Sequence, residues 1–374
     1  MCPTNTETDA APQKGMVFRM KKSLIKTLLL IGGSIVLGLA ILTGGVFAYI
    51  AAKKPFHTGD LTGMAAQFSI VDREIPALPV RDSGNFVVLQ LTDTHLIGVK
   101  GKDLKTFAAI EEQLMSINPD LVVVTGDMLD GFNRAISVNK RGALEAVAEI
   151  FERYGQYWAY VPGNNDCEYL GSSADVAAYL GQNYPHCLLS NAEDVTGATQ
   201  YVIPIVDTDG LIVHALVFLD SLARDPETNY LTYDCMKKDQ ADWLLEQLRA
   251  LQSQAPLASA SVFFHANTPA FTKAKNEGEP YADGYAMLDF PDSWSIRGNE
   301  IVDKAIAAAD NVGLVSIGHL HPPVNWCAYL DGTYYQVVRA SGYQATSKPG
   351  AAVITIHTYD GNPRRLYDFE EIVF

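Results

Sequence analysis

Six apolar runs, rich in Val, Leu and Phe, alternate with segments of helical periodicity from residue 86 onward. Near-continuous apolar strands that alternate with helices predict an α/β fold in which both sheet faces are covered. After residue 321 two further apolar runs follow without a helix, which favours mixed or antiparallel pairing at that edge. The predicted strands are 86–91, 121–126, 158–163, 211–220, 259–265, 312–319, 333–340 and 351–360, and the predicted helices are 104–117, 141–154 and 239–252.

Five of the predicted strands end in side chains that can bind a metal ion. Ligands of open α/β sheets bind beyond the carboxyl ends of the strands, so we expect these side chains to meet at one sheet edge. A turn or a helix N-cap would explain any single Asp or Asn among them. Five such strand ends together predict a metal site. The candidate ligands are Asp93, His95, Asp127, Asn164, His265, His319 and His321.

The chemistry and the number of these ligands indicate which ions they suit. Carboxylate, imidazole and amide ligands together suit borderline divalent ions such as Mn, Zn or Fe(II). Seven ligands are too many for one tetrahedral ion. They suit two ions that share a bridging carboxylate, a geometry that clamps the attacking and leaving oxygens during displacement at a phosphoric ester.

The series DTH, GD, GNN, H and GHLH resembles the calcineurin-like metallophosphoesterase superfamily, whose pattern is DxH, GD, GNH(D/E), H and GHxH. The resemblance runs from about Phe86 to the C-terminus. It implies an α/β sandwich of two mixed β-sheets flanked by helices, and a metal-dependent phosphoric ester hydrolase in which a hydroxide between two ions attacks phosphorus. By the same resemblance, one ion is held by Asp93, His95 and His321, the other by Asn164, His265 and His319, and Asp127 bridges them.

Two positions depart from the family pattern. The C-terminal part is similar to a branch related to purple acid phosphatases, in which GDxxY supplies a tyrosine ligand to iron; here that position is Asp130, so no tyrosinate-iron centre is implied. The family's GNH histidine is replaced by Asn165, whose amide cannot deliver a proton at neutral pH. Asn165 and Asp127 are the candidate catalytic residues. Asp166 lies where the family's acidic residue would orient a histidine.

An uncharged segment of 26 residues, 27–52, precedes the predicted domain. It is longer than the ~20 residues that cross a bilayer and exceeds the apolar region of a secretory signal. Five basic residues precede the segment and two follow it, so the positive-inside rule places the N-terminus in the cytoplasm. We therefore expect a cytoplasmic basic tail (1–26), a transmembrane signal anchor (27–52), a juxtamembrane linker (53–85) and an extracytoplasmic metallophosphoesterase domain (86–374) of a single-pass membrane protein.

The net charge of the predicted domain excludes some classes of binding partner. Residues 1–56 contain seven basic and two acidic residues, and because the whole chain has a net charge of −15, the remainder carries −20. Such an acidic body does not suit nonspecific nucleic-acid binding. It would also repel a phosphoester unless cations gather locally, which two bound divalent ions would achieve.

Several functions fit this pattern. The first is a membrane-anchored dimetal phosphoesterase, whose partners are a phosphoester substrate and the lipid bilayer. Alternatives are a phosphodiesterase or pyrophosphohydrolase acting on lipid-linked or cell-envelope substrates, and a noncatalytic metal-binding homologue. Retention of all seven ligands favours an enzyme. The four cysteines after residue 56 could pair in an oxidising exterior or remain buried thiols: Cys167, Cys187, Cys235 and Cys327.

Overall fold

The structure is a computed structural model that describes residues 31–34, 75–131, 139–166, 172–223, 234–281, 300–358 and 363–374. The chain divides into two compact units, 1–52 and 53–374. In the first unit, residues 31–34 are helical and exposed, whereas the rest of the predicted membrane span lies outside the described residues. Among the helices that the structure describes, none has both the length and the apolar character required to span a bilayer.

The described part of the second unit contains thirteen strands, six α-helices and one 3-10 helix (Pro363–Arg365). The strands are β1 (Leu78–Pro79), β2 (Asn85–Leu91), β3 (Leu121–Thr125), β4 (Trp158–Val161), β5 (Tyr201–Val206), β6 (Ile212–Phe218), β7 (Ser259–Phe263), β8 (Glu279–Pro280), β9 (Val312–Ile317), β10 (Trp326–Leu330), β11 (Thr333–Val337), β12 (Gly350–His357) and β13 (Tyr367–Val373). The helices are α1 (Lys102–Ile117), α2 (Lys140–Arg153), α3 (Ser173–Asn183), α4 (Lys238–Gln254), α5 (Pro269–Glu277) and α6 (Glu300–Ala307).

The strands form two mixed sheets, as the family resemblance implies. One has five strands in the order β13-β12-β2-β3-β4, and the other has eight in the order β1-β5-β6-β7-β9-β11-β10-β8. Strands β2, β3 and β4 are parallel to one another, as are β6, β7, β9 and β11. Antiparallel neighbours flank each parallel set. The ligand-bearing loops all follow strands of these two parallel sets.

The two sheets pack face to face over a shared apolar core. Phe86 and Val88 from the smaller sheet and Phe218 and Phe263 from the larger sheet are fully buried in one cluster. Burial of each such side chain contributes roughly 1.5–3 kcal/mol. A buried polar contact also joins the sheets, because Ser316 Oγ on β9 donates a hydrogen bond to the side chain of Gln90 on β2 (2.6 Å).

Helices cover the outer face of each sheet. On α1, Phe107, Ile110 and Leu114 recur at helical spacing and belong to the core cluster that contains the smaller sheet. Helix α1 ends where Asn118 adopts a left-handed conformation, a common helix C-cap. Helices α4, α5 and α6 pack their apolar faces on the larger sheet in a second cluster. All three predicted helices are present, with ends shifted by at most two residues.

The domain begins earlier than the predicted boundary at residue 86. Leu78 and Pro79 form β1, which pairs in parallel with β5, and Val80 is buried. The C-terminal part of the predicted linker 53–85 is therefore part of the folded sheet, and the prediction was wrong there. A two-residue strand that contains a proline carries no periodicity from which it could be recognised.

Candidate metal centre

All seven predicted ligands lie in loops that directly follow strands. The loop after β2 carries Asp93 and His95, and the loops after β3 and β4 carry Asp127 and Asn164; the loop after β7 carries His265, and the loop after β9 carries His319 and His321. The expectation of a single sheet edge was wrong, because β2, β3 and β4 belong to the smaller sheet whereas β7 and β9 belong to the larger one. Packing of the two sheets brings the carboxyl ends of both parallel sets together.

The first ligand group consists of Asp93, His95 and His321. His321 Nε2 lies 2.9 Å from Asp93 Oδ1 and 3.2 Å from His95 Nε2. His95 Nε2 lies 3.7 Å from Asp93 Oδ1. One ligand atom from each residue lies within 4.8 Å of the others. Two imidazole nitrogens and one carboxylate oxygen thus converge on a common point.

The second ligand group converges around His265. Its Nε2 lies 3.4 Å from Asp127 Oδ2, 3.2 Å from Asn164 Oδ1 and 3.3 Å from His319 Nδ1. The other ring nitrogen, Nδ1, lies 2.8 Å from the carbonyl oxygen of Thr125 and donates a hydrogen bond to it. That hydrogen bond orients the ring and leaves the Nε2 lone pair available for an ion.

Asp127 lies between the two groups. Its Oδ2 is 3.4 Å from His265 Nε2 and 3.5 Å from His95 Nε2, so one carboxylate oxygen faces one imidazole from each group. This is the position required of a bridging ligand. Asp93 also reaches both groups, since its carboxylate lies within 4.8 Å of ligand atoms of Asp127 and His265. Its Oδ2 accepts hydrogen bonds from the His319 backbone N–H (2.9 Å) and from Thr92 Oγ1 (2.8 Å).

The buried carboxylates and imidazoles shift one another's pKa values. Burial raises the pKa of Asp127, but the charge and hydrogen bond of His265 and the charge of His95 together outweigh burial and lower it to about 2. Burial alone would lower the pKa of His265, whereas the negative charge of Asp127 raises it to about 10. The pKa of His95 rises to about 9 against the effect of burial, through its contacts with Asp93 and Asp127. Burial, followed by the charge of His265, lowers the pKa of His319 to about 4. Two buried carboxylates thus attract positive charge.

Five of the ligands have a left-handed backbone, which is uncommon outside glycine. The φ angles lie between 45° and 68° in Asp93, His95, Asp127, His319 and His321. Backbone hydrogen bonds hold two of these turns, from Asp93 N–H to the Gly126 carbonyl (3.0 Å) and from His95 N–H to the Asp127 carbonyl (3.0 Å). The fold therefore imposes the ligand geometry through the backbone.

The residues fit two divalent ions. Asp93 and Asp127 are almost completely buried, and a buried carboxylate is stable only when it is paired or coordinates a metal. Ring nitrogens of His95, His265 and His321 lie 2.9–3.5 Å from a carboxylate oxygen of Asp93 or Asp127, so an ion can bind both kinds of ligand once the rings lose their protons. Close approach of the loops requires glycine at one point: a β-carbon on Gly163 would lie 2.1 Å from Asp127 Oδ1.

Asp166 does not have the position that the family resemblance implies for it. The Asp166 carboxylate accepts hydrogen bonds from Tyr160 Oη (2.8 Å) and from the backbone N–H groups of Gly163 and Leu129 (2.9 Å each). These three donors occupy both oxygens, so Asp166 stabilises the turn and is not placed to orient a histidine at position 165. Burial, followed by the charge of Asp127, raises the pKa of Asp166 to about 6.

Asp130 is buried near the first ligand group. Its negative charge contributes to the raised pKa of His95. Its backbone N–H donates to the Leu96 carbonyl (3.0 Å), which pairs the chain after Asp127 with the chain after His95. Asp130 thus combines a turn position with an electrostatic effect on a ligand.

Three further residues support the candidate ligands and were not among the predicted site residues. The Thr125 carbonyl orients His265, Thr92 Oγ1 contacts Asp93, and Gly342 packs against the backbone of Thr94. Every residue has a backbone carbonyl, so the role of the Thr125 carbonyl could not be predicted from residue type. The contact of Gly342 has one signal in the sequence, the Gly-Tyr pair at 342–343 that follows the GHLH motif.

The described cysteines are free thiols. Cys187 and Cys327 are buried and Cys235 is partly exposed, whereas Cys167 lies outside the described residues. Burial raises the pKa of the Cys327 thiol well above its ordinary value. Among these three residues, the interpretation of buried thiols therefore applies to Cys187 and Cys327.

Comparison with known proteins shows which family the chain belongs to. The family model described as calcineurin-like phosphoesterase matches residues 86–323. Comparison with curated protein sequences gave no match. Similar solved structures include a dimetal phosphatase from Danio rerio, with 14% identity and a TM-score of 0.49 over 77% of this chain and 99% of that one.

Two further solved structures are similar at lower TM-scores. The protein TT1561 of Thermus thermophilus has 13% identity and a TM-score of 0.42, with 76% of this chain and 97% of that one covered. A novel archaeal phosphodiesterase has 13% identity and a TM-score of 0.36, with 77% and 100% covered. The family match itself covers more than half of the chain and contains all seven candidate ligands. The chain therefore belongs to the calcineurin-like phosphoesterase family of metal-dependent phosphoester hydrolases.

Proposed function

We propose that this chain hydrolyses a phosphoric ester at two divalent ions that share Asp127. The observation that carries the proposal is the position of Asp127 Oδ2, at 3.5 Å from His95 Nε2 and 3.4 Å from His265 Nε2. Asp93, His95 and His321 would hold one ion, and Asn164, His265 and His319 the other. When bound, two such ions supply a nucleophile from water at neutral pH and neutralise the charge of the phosphate.

Some residues of the site supply buried negative charge, and others lie where the substrate can reach the ions. Asp93 and Asp127 provide buried negative charge, and the Thr125 carbonyl fixes the His265 ring. The His265 side chain is 0% exposed, whereas those of His95 and His321 are 14% and 31% exposed. The substrate phosphate therefore enters beside His95 and His321.

The membrane anchor is part of this proposal. Length, absence of charge and the flanking basic residues of segment 27–52 support a single-pass anchor with the catalytic domain outside the cell. A phosphodiesterase or pyrophosphohydrolase acting on lipid-linked or cell-envelope substrates would also benefit from an anchor. The ions would be Mn, Zn or Fe, because all three accept mixed carboxylate, imidazole and amide ligands.

A substrate panel tests the function. Full-length protein loaded separately with Mn, Zn or Fe(II) is assayed against phosphomonoesters, phosphodiesters and pyrophosphates. We expect turnover of at least one class, and the preferred class separates the proposed activity from the two alternative hydrolases. Binding of two ions without turnover of any phosphoester would favour the noncatalytic metal-binding homologue. Asp93→Asn is the matched inactive variant, since it removes a ligand charge with little change in volume.

A further inference from the structure

The side chain of Asn165 turns onto the carboxylate of Asp127. The Asn165 backbone N–H donates to Asp127 Oδ1 (2.7 Å), and its Nδ2 donates to Asp127 Oδ2 (2.5 Å). Each carboxylate oxygen therefore receives a hydrogen bond from the same residue. Only 9% of Asn165 is exposed, so both bonds are shielded from solvent.

Two donors from one residue determine how the carboxylate is oriented. Rotation of an Asp carboxylate about its terminal torsion is soft, and nothing intrinsic to Asp127 selects one orientation. The contacts from Asn165 select the orientation in which Oδ2 faces His95 and His265. Hydrogen bonds of this kind, made to a ligand by a residue that does not touch the ion, set ligand geometry and metal affinity.

The turn holds Asn165 in place independently of the centre. Asp166 accepts hydrogen bonds from Tyr160, from the Gly163 backbone and from the Leu129 backbone. These contacts fix the backbone on both sides of residue 165, so that its N–H and its side chain both face Asp127. The amide is then engaged with the carboxylate instead of extending toward the space beside His95 and His321.

We propose that Asn165 is a positioning residue that holds Asp127 in its bridging orientation, and that the site consequently acts on phosphoric esters and anhydrides whose leaving oxygen departs without a proton. The proposal rests on the proposed dimetal function. It gives Asn165 a role through Asp127 and names the class of substrate that the site favours.

The substrate class follows from the proton balance. Water attacks phosphorus, the bond from phosphorus to the leaving oxygen breaks, and the proton that the water loses passes to solvent. An amide that donates to Asp127 does not protonate the leaving oxygen. Asp220, a buried carboxyl group outside the two ligand groups, accepts hydrogen bonds from the backbone N–H groups of Ala198 and Leu222, one on each of its oxygens. Phosphoanhydrides and aryl phosphates release stable anions, whereas an alkyl alkoxide requires a proton.

The positioning role of Asn165 is tested by metal binding and does not require a catalytic assay. Full-length wild type and Asn165→Ala are titrated with Mn(II), and their ion binding and electron paramagnetic resonance spectra are compared. We expect affinity for the second ion to fall 10- to 100-fold in the variant, as is typical when a partner of a metal ligand is removed, together with weaker exchange coupling between the ions. Equal affinity and coupling in the two proteins would overturn the positioning role.

Asn183→Ala is the matched control. Its amide donates to the Tyr179 carbonyl at the end of α3 (2.9 Å), so this variant also loses one amide hydrogen bond, but away from the ligands. The control should bind and couple both ions like wild type. A second ion lost equally in both variants would assign the effect to general destabilisation and overturn the proposal. Circular dichroism melting of each variant establishes that both remain folded during the titration.

The substrate class is tested on wild type with a graded series. Rates are measured for aryl phosphates of increasing leaving-group pKa, for a phosphoanhydride and for an alkyl phosphate. We expect alkyl turnover to be about 10²- to 10⁴-fold slower than that of the most activated aryl ester, the factor that general acid catalysis would supply. Rates that do not depend on the leaving group would overturn the substrate class. Two coupled ions without any turnover would overturn the proposed function while supporting the position of Asn165.

Discussion

The α-carbon of Gly342 lies against the carbonyl of Thr94, so that a β-carbon on residue 342 would come within 1.9 Å of that oxygen. Thr94 separates two ligands of the first group, Asp93 and His95. Ser341 strengthens the contact, because its N–H donates to the Thr92 carbonyl (2.7 Å) and its Oγ accepts from the Thr92 N–H (3.0 Å). The loop after β11 is thus a backbone support for the loop that carries two ligands.

Gly342→Ala should weaken metal binding. The added methyl group can be accommodated only if the Thr94 carbonyl moves, which displaces the ligands on both sides of it. We expect a loss of at least about 10-fold in affinity for the ion held by Asp93, His95 and His321, comparable to removal of a partner of a metal ligand. Isothermal titration with Mn(II) or Zn(II) measures it. Gly210→Ala is the control, because it strains an exposed turn at positive φ that has nothing within 4 Å and should leave affinity unchanged.

The full-length protein should bind about two divalent ions per chain, because the seven candidate ligands in two groups exceed what one ion uses. Asp127→Ala should lose more metal than Asp93→Ala, since Asp127 is the proposed bridge. Elemental analysis after loading with Mn or Zn measures both. Asp239→Asn, which removes a carboxylate on α4 that accepts hydrogen bonds from Thr196, should retain both ions. One ion or none in wild type would contradict the dimetal interpretation.

How much of this could be predicted from sequence depends on where each signal lies. The ligand-bearing strands were predictable because an apolar run followed by a polar residue records both burial and the strand end. The division into two sheets was not predictable, because β4 and β7 have the same kind of sequence although they belong to different sheets. The orientation of the Asn165 side chain could not be predicted either. It depends on the position of Asp127, a contact between residues 38 positions apart.

The orientation of the chain in a membrane is a prediction from sequence alone. In intact cells that express the full-length protein with an N-terminal epitope, external protease should digest the domain while the epitope and the first ~20 residues stay protected. Permeabilised cells are the control, in which the epitope should also be lost. Protection of the whole domain would reverse the orientation. A mature protein that begins near residue 52 would instead identify segment 27–52 as a cleaved signal.

His214 should make the fold sensitive to acid. It lies on β6 inside the sandwich, fully buried, with Nδ1 2.7 Å from Ser259 Oγ and Nε2 2.9 Å from Ser261 Oγ. Burial lowers the pKa of His214 to about 3. In the unfolded chain its pKa is about 6.5, so below that pH the unfolded state takes up a proton that the folded state refuses.

The stability contributed by neutral His214 is therefore complete above pH 6.5 and is lost as the pH falls toward about 3. The loss approaches about 1.4 kcal/mol per pH unit and has an upper limit of roughly 5 kcal/mol. Urea unfolding at pH 7.5, 6, 5 and 4.5, with a chelator present throughout, measures it for wild type and His214→Gln. The glutamine cannot titrate, so the free energy of unfolding of the variant should fall less steeply. The chelator removes metal loss as a cause, and titration of the ligand histidines cancels in the difference between the two proteins. Parallel curves for wild type and variant would show that His214 is protonated without cost in the folded state, which would contradict its burial between the two serines.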